Sequence, residues 1–315
     1  MAALLRLGTR GSQLALRQAD LVREALLAQH PGLTVELEII TTHGDRAADV
    51  PLQRMSGQGV FARAIEEALL DGRIDVAVHS LKDLPSVETP GLEIAAVPPR
   101  EDARDALVSR GDLSFAALPA GARVATGSPR RAAQLKAARP DLQIVDIRGN
   151  LDTRLRKLET DGLDAMVLAV AGLSRLGLAG RIAEALPTTL CLPAVGQGAL
   201  AVQCRADDAP ARALVTPLDD AVSRAAVQAE RALLAALGGG CKVPIAAHAT
   251  LVEGELRLDG VVAAPDGSQL LRDSLAAPVA AAALLGMGLA ARLMAAGAGD
   301  LLGERATPGT DSDAH

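Results

Sequence analysis

The feature that most restricts the fold of this 315-residue chain is a layout that occurs twice. In the first copy the apolar segment LLRLGT runs through RGS into the helical pattern SQLALRQADLVREALLAQ. That pattern stops at HPG, before the strand pattern TVELEII. In the second copy ARVAT runs through GSPRR into AAQLKAA, then RPDL and the strand pattern QIVDI. Ser12 and Ser128 stand where helix N-caps belong, and Pro129 suits a first helical position, whose N–H has no intrahelical partner. Each copy continues with a helix, an Asp-Gly turn and a buried strand ending in polar residues: IEEALLDGRIDVAVHSLKD and RKLETDGLDAMVLAVAGLSRLG. Strands alternating with helices imply βα units and a mainly parallel sheet. Turn chemistry alone makes all βα units look alike, but here three features recur in the same order. The repeat therefore predicts two similar α/β domains facing each other.

A third region begins near Asp219. VSRAAVQAERALLAAL has the apolar stripe of a strong helix and is ended by Gly238, Gly239 and Gly240. Short strand patterns follow (IAAHATLV, ELRLDGVVAA), with a hairpin turn at Glu253-Gly254, another turn at PDGS, and a long final helix expected over Ala276 to Ala296. The fold class is thus α/β, two such domains plus a small α+β C-terminal domain. The boundaries read as 1–98 with 199–216, 103–193, and 219–302, with a polar tail at 303–315 expected to be disordered.

Composition narrows the functions open to such a fold. With no Trp or Tyr and only Phe61 and Phe115, the core must be Leu, Val, Ile and Ala, and the stacking platforms used for single-stranded nucleic acid are missing. A net charge of −6 argues against a general polyanion binder, while leaving room for a local basic pocket. The opening MAALLRLGTRGS has too short an apolar run for a signal peptide, and no window reads as a membrane span, so a cytoplasmic location is expected. Three widely spaced cysteines and five scattered histidines predict neither disulfides nor a metal site.

In open α/β sheets ligands sit outside the carboxyl ends of the strands. That rule selects Thr9 to Ser12, Ser80 to Asp83, Thr126 to Arg131, Arg148 to Asn150 with Gly149 between them, and Gly172 to Arg175. These stretches and their neighbours hold Arg10, Lys82, Arg130, Arg131, Arg148, Arg154 and Arg175. A single arginine is usually a solvated surface charge. Several at the same end of two sheets, with helix N-termini at Ser12 and Ser128, suit an anion carrying several negative groups. Asp83 among these cations is open to two readings: a counter-ion that fixes Lys82, or a carboxylate that moves protons or stabilises a developing cation. Cys241, after three glycines in LGGGCKVPIA, is either a small buried residue in a tight turn or an accessible thiol favoured as thiolate by Lys242. Neither GxGxxG nor GxxxxGK[ST] is present, so a nucleotide site is disfavoured.

Taken together, GDRAADVPL, AVHSLKDLP, REDARDALVS, RGNLDTRLRKL, LAVAGLSRLGL, LPAVGQGALAVQCR and AERALLAALGGGCKVPIA resemble the porphobilinogen deaminase (hydroxymethylbilane synthase) family along nearly the whole chain. The resemblance implies a transferase that condenses four porphobilinogen molecules head to tail into hydroxymethylbilane, losing ammonia at each step. It implies growth on a dipyrromethane cofactor attached by a thioether to a cysteine, whose matching position is Cys241. The matching catalytic carboxylate is Asp83, beside Lys82, taken to assist loss of the aminomethyl nitrogen and to stabilise the azafulvene-like cation. Positions that bind cofactor or substrate side chains fall on Arg10, Ser12, Gln18, Ser80, Lys82, Asp83, Thr126, Ser128, Arg130, Arg131, Arg148, Gly149, Arg154, Arg175, Gln197 and Gly198. The family resemblance also favours a monomer and a transient hand-over of product to uroporphyrinogen-III synthase.

The sequence departs from the family pattern in places. Gln58 in SGQGVF stands where a Lys is usual, with Arg54 and Arg63 nearby as other charges; GSP introduces Pro129, Gln203 stands where Glu is common, and Gly238 where Glu usually precedes the glycine pair. The competing reading is a non-catalytic solute-binding or sensor module, since two facing α/β domains build those as well.

Overall fold

The computed structural model describes residues 4–41, 62–239 and 244–302; Cys241, Gln58, Arg54 and the tail from 303 lie outside them. In chain order the N-terminal part contributes β1 (Leu4–Thr9), α1 (Gln13–Gln29), β2 (Thr34–Ile39), α2 (Arg63–Leu70), β3 (Val76–Ser80) and β4 (Leu92–Ala96). The middle part contributes β5 (Asp105–Ser109), β6 (Arg123–Ala125), α3 (Pro129–Ala138), β7 (Gln143–Val145), α4 (Leu151–Thr160), β8 (Ala165–Ala169), α5 (Val170–Arg175) and β9 (Glu184–Ala185). There follow β10 (Leu200–Arg205), α6 (Ala209–Val215) and α7 (Ala221–Ala236). The last part is β11 (Ile245–Val252), β12 (Glu255–Ala263), β13 (Leu270–Pro278), α8 (Ala282–Ala295) and α9 (Ala298–Leu302).

The helix starts follow the local chemistry. Ser12 accepts from the Ala15 N–H and Ser128 from that of Arg131, so each βα turn closes its own helix. Pro129 occupies the first turn of α3, and Asn150 caps α4 through the Thr153 N–H. Strands β3, β8 and β10 are buried on both faces, as the apolar residues that open each of them require.

The two five-stranded sheets have equivalent orders, β2-β1-β3-β10-β4 and β7-β6-β8-β5-β9. Strands β2, β1 and β3 are parallel, as are β7, β6 and β8, but β10 runs against β3 and β4 and β5 against β8 and β9. Four strands of each sheet therefore run one way and a single strand, β10 or β5, runs against them, so the sheets are mainly parallel as expected, with one reversed strand each. The reason is connectivity. The chain leaves β4 for the second sheet and returns after β9 to the first, so each arriving strand starts where the parallel strands end. Leu200 pairs with Ser80 and Asp105 with Ala169.

Each sheet is packed on both faces. In the first, Leu7, Val78 and Val202 meet Ala19, Val22 and Leu26 of α1, while Ala77 lies with Ile65 and Leu69 of α2 on the other side. In the second, Met166 and Leu168 pack on Leu155 and Leu158 of α4, and Val124 and Val167 pack with Leu135 of α3. The third unit is the antiparallel sheet β11-β12-β13 under α7 and α8, joined through Leu233, Leu258, Leu285, Leu289 and Leu293. Its hairpin turns at Glu253-Gly254, both with positive φ, as expected from the sequence. The final helix starts later than expected: Ala276, Ala277 and Pro278 are strand residues, paired with Arg257, Leu256 and Glu255. A partner strand with an open edge outweighs the helix preference of two alanines.

Candidate active site

The carboxyl ends of the parallel strands of both sheets meet around Gln197, which bonds Lys82 from after β3 and Arg131 from after β6. Immediately after β3 the chain makes a single 3-10 turn over Leu81 to Asp83, anchored by buried Leu81, whose N–H bonds the Ala199 carbonyl. The turn therefore rests on the segment by which the chain returns to the first sheet, and it holds Lys82 and Asp83 outward. A cleft opens here, lined by Arg10, Ser12, Gln18, His79, Ser80 and Asp83 among others. Gln18 is buried at its base and is bonded to the Ser80 hydroxyl at 2.9 Å. His79 lies beside them; burial pushes its pKa down to about 4, so the imidazole is neutral.

The second sheet supplies the opposing charges. Arg154, on α4, donates from Nε to the Gly149 carbonyl at 2.8 Å, which the positive φ of Gly149 turns toward it. Burial, then the charges of Arg131 and Arg148, push its pKa down to about 10, against the opposing pull of Asp83. Burial and Arg131 likewise push Lys82 down to about 8, with Asp83 and Asp105 acting the other way. Lys82 and Asp83 of one sheet thus share a field with Arg131 and Arg154 of the other. Arg148 lies at 3.1 Å from Asp146 at the more open edge. Arg175 donates to the Gly198 carbonyl at 2.6 Å, tying α5 to the returning segment.

Several sequence-selected residues face inward instead. Arg130 is 4% exposed and Arg131 6%; both pair with Asp105. Arg130 also donates to the Leu192 carbonyl at 2.6 Å, so it stabilises the interior rather than lining the cleft. Gln197 is 1% exposed and fully bonded, with Lys82 and Arg131 at its Oε1. Thr126 accepts from the Ser128 N–H at 3.2 Å, shaping the turn before α3. Cys191 and Cys204 are both free and buried.

Sequence reasoning missed Asp105, Arg100 and Glu230. Glu230 is wholly buried and bonds Arg100 through both oxygens, together with the N–H groups of Gly196 and Ala249. Its signal was present: a charged residue inside the apolar stripe Ala226, Ala229, Leu233, Leu237 of AVQAERALLAAL. Asp105 offered a similar signal, an acid opening the buried strand DALVS.

The cations fit a polycarboxylate. Among the described residues, Lys82 is bonded to an amide oxygen and Arg154 to a carbonyl, with no carboxylate bonded to either. Burying two such charges is costly unless an anion completes them. Among the described residues, no group of His, Cys, Asp and Glu could hold a metal ion, and no helix is long and apolar enough to cross a membrane.

Fold and cleft together define a protein of two α/β units with cations near a shared cleft and a small third unit clamped onto its crossing segments. Comparison with known proteins narrows this class: the family model for the porphobilinogen deaminase dipyromethane cofactor binding domain matches residues 5–213. The model for the C-terminal domain of porphobilinogen deaminase matches residues 224–295. The chain belongs to the porphobilinogen deaminase family. The porphobilinogen deaminase of Syntrophotalea carbinolica is 54% identical over 301 residues, 96% of each chain. That of Roseiflexus sp. is 52% identical over 305 residues, 96% of this chain and 99% of the other. Among solved structures, the methionine binding protein MetQ overlaps with a TM-score of 0.43 at 15% identity, covering 68% of this chain and 89% of that one. That overlap is too loose to bear on function.

Proposed function

We propose that the cleft at Asp83 is where this chain joins porphobilinogen units, with Asp83 as the catalytic carboxylate and Cys241 as the attachment point of the dipyrromethane cofactor. The protein is a hydroxymethylbilane synthase: a transferase that condenses four porphobilinogen molecules with release of ammonia, in tetrapyrrole biosynthesis. The solute-binding or sensor alternative is not favoured by relatives that cover almost the whole chain. The observation that supports the site assignment is the position of Asp83 just past the carboxyl end of β3, lining the cleft with Arg10, Ser12 and Ser80.

Each step forms a carbon–carbon bond between an aminomethyl carbon and a free pyrrole carbon. Ammonia departs from the first, and a proton from the second. Positive charge develops on the incoming pyrrole as ammonia leaves, and a fixed carboxylate is the group suited to stabilise it. Lys82, Arg148 and Arg154 hold the acetate and propionate groups, whose number grows with every unit added, while buried Arg131 supports Gln197 beneath them. Arg10 and the bonded pair Gln18 and Ser80 shape the near wall. Dipyrromethane, when bound, supplies the acceptor on which the product is built. The protein acts as a cytoplasmic monomer and passes its product to uroporphyrinogen-III synthase.

Intact mass and turnover test this together. Wild type should carry a mass excess of one dipyrromethane, which Cys241→Ser loses. Asp83→Asn should keep the excess while turnover falls by at least about a hundredfold, the lower range for a positioned acid–base group. An unmodified wild-type chain inactive on porphobilinogen defeats the proposal, and near-normal rates in Asp83→Asn reduce Asp83 to a counter-ion.

A further inference from the structure

We infer that Asp105, buried beneath the cleft, is a positioning residue for the condensation: it fixes Gln197 so that Lys82 from one domain and Arg131 from the other meet at a single amide oxygen. The inference rests on the reading of the cleft given above and names a residue that does not itself touch substrate.

Asp105 is wholly buried at the start of β5. Its Oδ1 accepts from Arg131 Nε at 2.9 Å, Gln197 Nε2 at 2.8 Å and Arg130 Nη2 at 3.2 Å. Its Oδ2 accepts from Arg130 Nη1 at 2.7 Å and Cys191 Sγ at 3.2 Å. Burial pushes its carboxyl up, but Arg130 and Arg131 outweigh that and hold it below the ordinary carboxylate value, so it stays ionised. An ionised carboxylate only accepts hydrogen bonds. The Gln197 amide must therefore point its NH₂ at Asp105 and at the Ala103 carbonyl, 2.7 Å away. That leaves Oε1 facing Lys82 Nζ at 3.3 Å and Arg131 Nη2 at 3.4 Å. Were the amide reversed, its NH₂ would oppose two cations.

A bare counter-ion role for Asp105 would require only charge balance with the arginines. The geometry goes further, because Arg131 is held at both edges, by Asp105 and by the Val167 carbonyl at 3.0 Å. Its remaining nitrogen, Nη2, lies 2.7 Å from Asp105 Oδ1 and 3.4 Å from Gln197 Oε1, so one carboxylate seats both the guanidinium and the amide. The segment returning from the second sheet thus brings two cations from facing domains to one amide oxygen.

The test uses the cofactor-loaded protein and three variants. Asp105→Asn/Arg130→Met removes one buried charge of each sign, and Gln197→Met removes the amide while leaving Asp105 and both arginines paired. The third combines all three changes. If Asp105 acts through Gln197, each of the first two raises the KM for porphobilinogen at least about tenfold with kcat within about threefold, the signature of lost uniform binding. The combined variant should then be no worse than either, because both changes break one linkage. Wild-type KM in Asp105→Asn/Arg130→Met, or KM effects that multiply in the combined variant, overturn the inference. If Asp105→Asn/Arg130→Met does not fold, Gln197→Met still decides: an unchanged KM removes the only route by which Asp105 could act. Wild type assayed alongside must carry the cofactor mass and turn over porphobilinogen. Failure there sinks the reading of the cleft, whereas an active wild type with unaffected variants sinks only the role of Asp105.

Discussion

Glu230→Ala is the substitution whose cost the structure defines most closely. Glu230 is 0% exposed and accepts four hydrogen bonds: from Arg100 Nη1 at 2.6 Å and Nη2 at 3.1 Å, Gly196 N at 2.7 Å and Ala249 N at 2.8 Å. These donors come from the segment leaving the first sheet, the segment returning to it, and β11 of the third unit. Removing one partner of a buried ion pair costs about 3–5 kcal/mol, because the other charge is left uncompensated. Each stranded N–H adds about 1–3 kcal/mol, less whatever water entering the vacated volume restores. These terms overlap, and about 5 kcal/mol is the expected net loss, a large share of the roughly 5–15 kcal/mol that holds a folded protein together. For a chain this long that corresponds to a fall of about 10 °C in Tm. The assay is thermal melting of wild type, Glu230→Ala, Arg100→Met and the double variant. The double variant should lie above Glu230→Ala, because no buried charge then stands alone. A Tm for Glu230→Ala within about 2 °C of wild type, or strictly additive changes, would show that the pair does not clamp the crossing segments.

Other expectations follow from single residues. With its pKa pushed down to about 8, Lys82 is cationic below that pH and loses its charge above it, so activity should fall as pH rises through about 8. Lys82→Arg, charged throughout, should move that alkaline limb upward in a pH–rate profile; an unmoved limb assigns it to another group. Gly198 has φ +88°, and a Cβ there would collide with the Glu101 backbone carbonyl, so Gly198→Ala should lower stability by about 2–3 kcal/mol in urea unfolding, from strain and overpacking together. A loss below about 0.5 kcal/mol, the range of an ordinary surface change, would show that the two crossing segments are not closely packed there. His79 has a folded-state pKa of about 4, below its unfolded value, so the unfolded chain binds its proton first on acidification. Stability should therefore fall by up to about 3 kcal/mol as pH drops from about 6.5 to 4, and His79→Gln should flatten that slope. An identical slope in the variant would place the acid sensitivity elsewhere.

Much of the architecture was legible along the chain because its causes are local. Ser12, Ser128 and Pro129 start helices through their own side chains, and Glu253-Gly254 turns a hairpin through its own backbone. The apolar runs of β3 and β8 declared strands buried on both faces, and the repeat declared two domains. The placing of Lys82, Asp83 and Arg154 at strand and helix ends followed from the rule that ligands collect there.

What the tertiary structure decided was everything dependent on which charges meet. No local pattern separates Arg130, turned inward onto Asp105 and the Leu192 carbonyl, from Arg154, which among the described residues bonds the Gly149 carbonyl and no carboxylate. Nor does any local pattern pair Arg100 with Glu230 across 130 positions or set Gln197 between cations of two domains. The antiparallel strands β5 and β10 and the late start of α8 depend equally on distant partners. Side-chain type and spacing fix the period of an element and the chemistry it can offer. Burial and the sign of the nearest charge belong to the packed molecule, and they determine which of those offers reach the cleft.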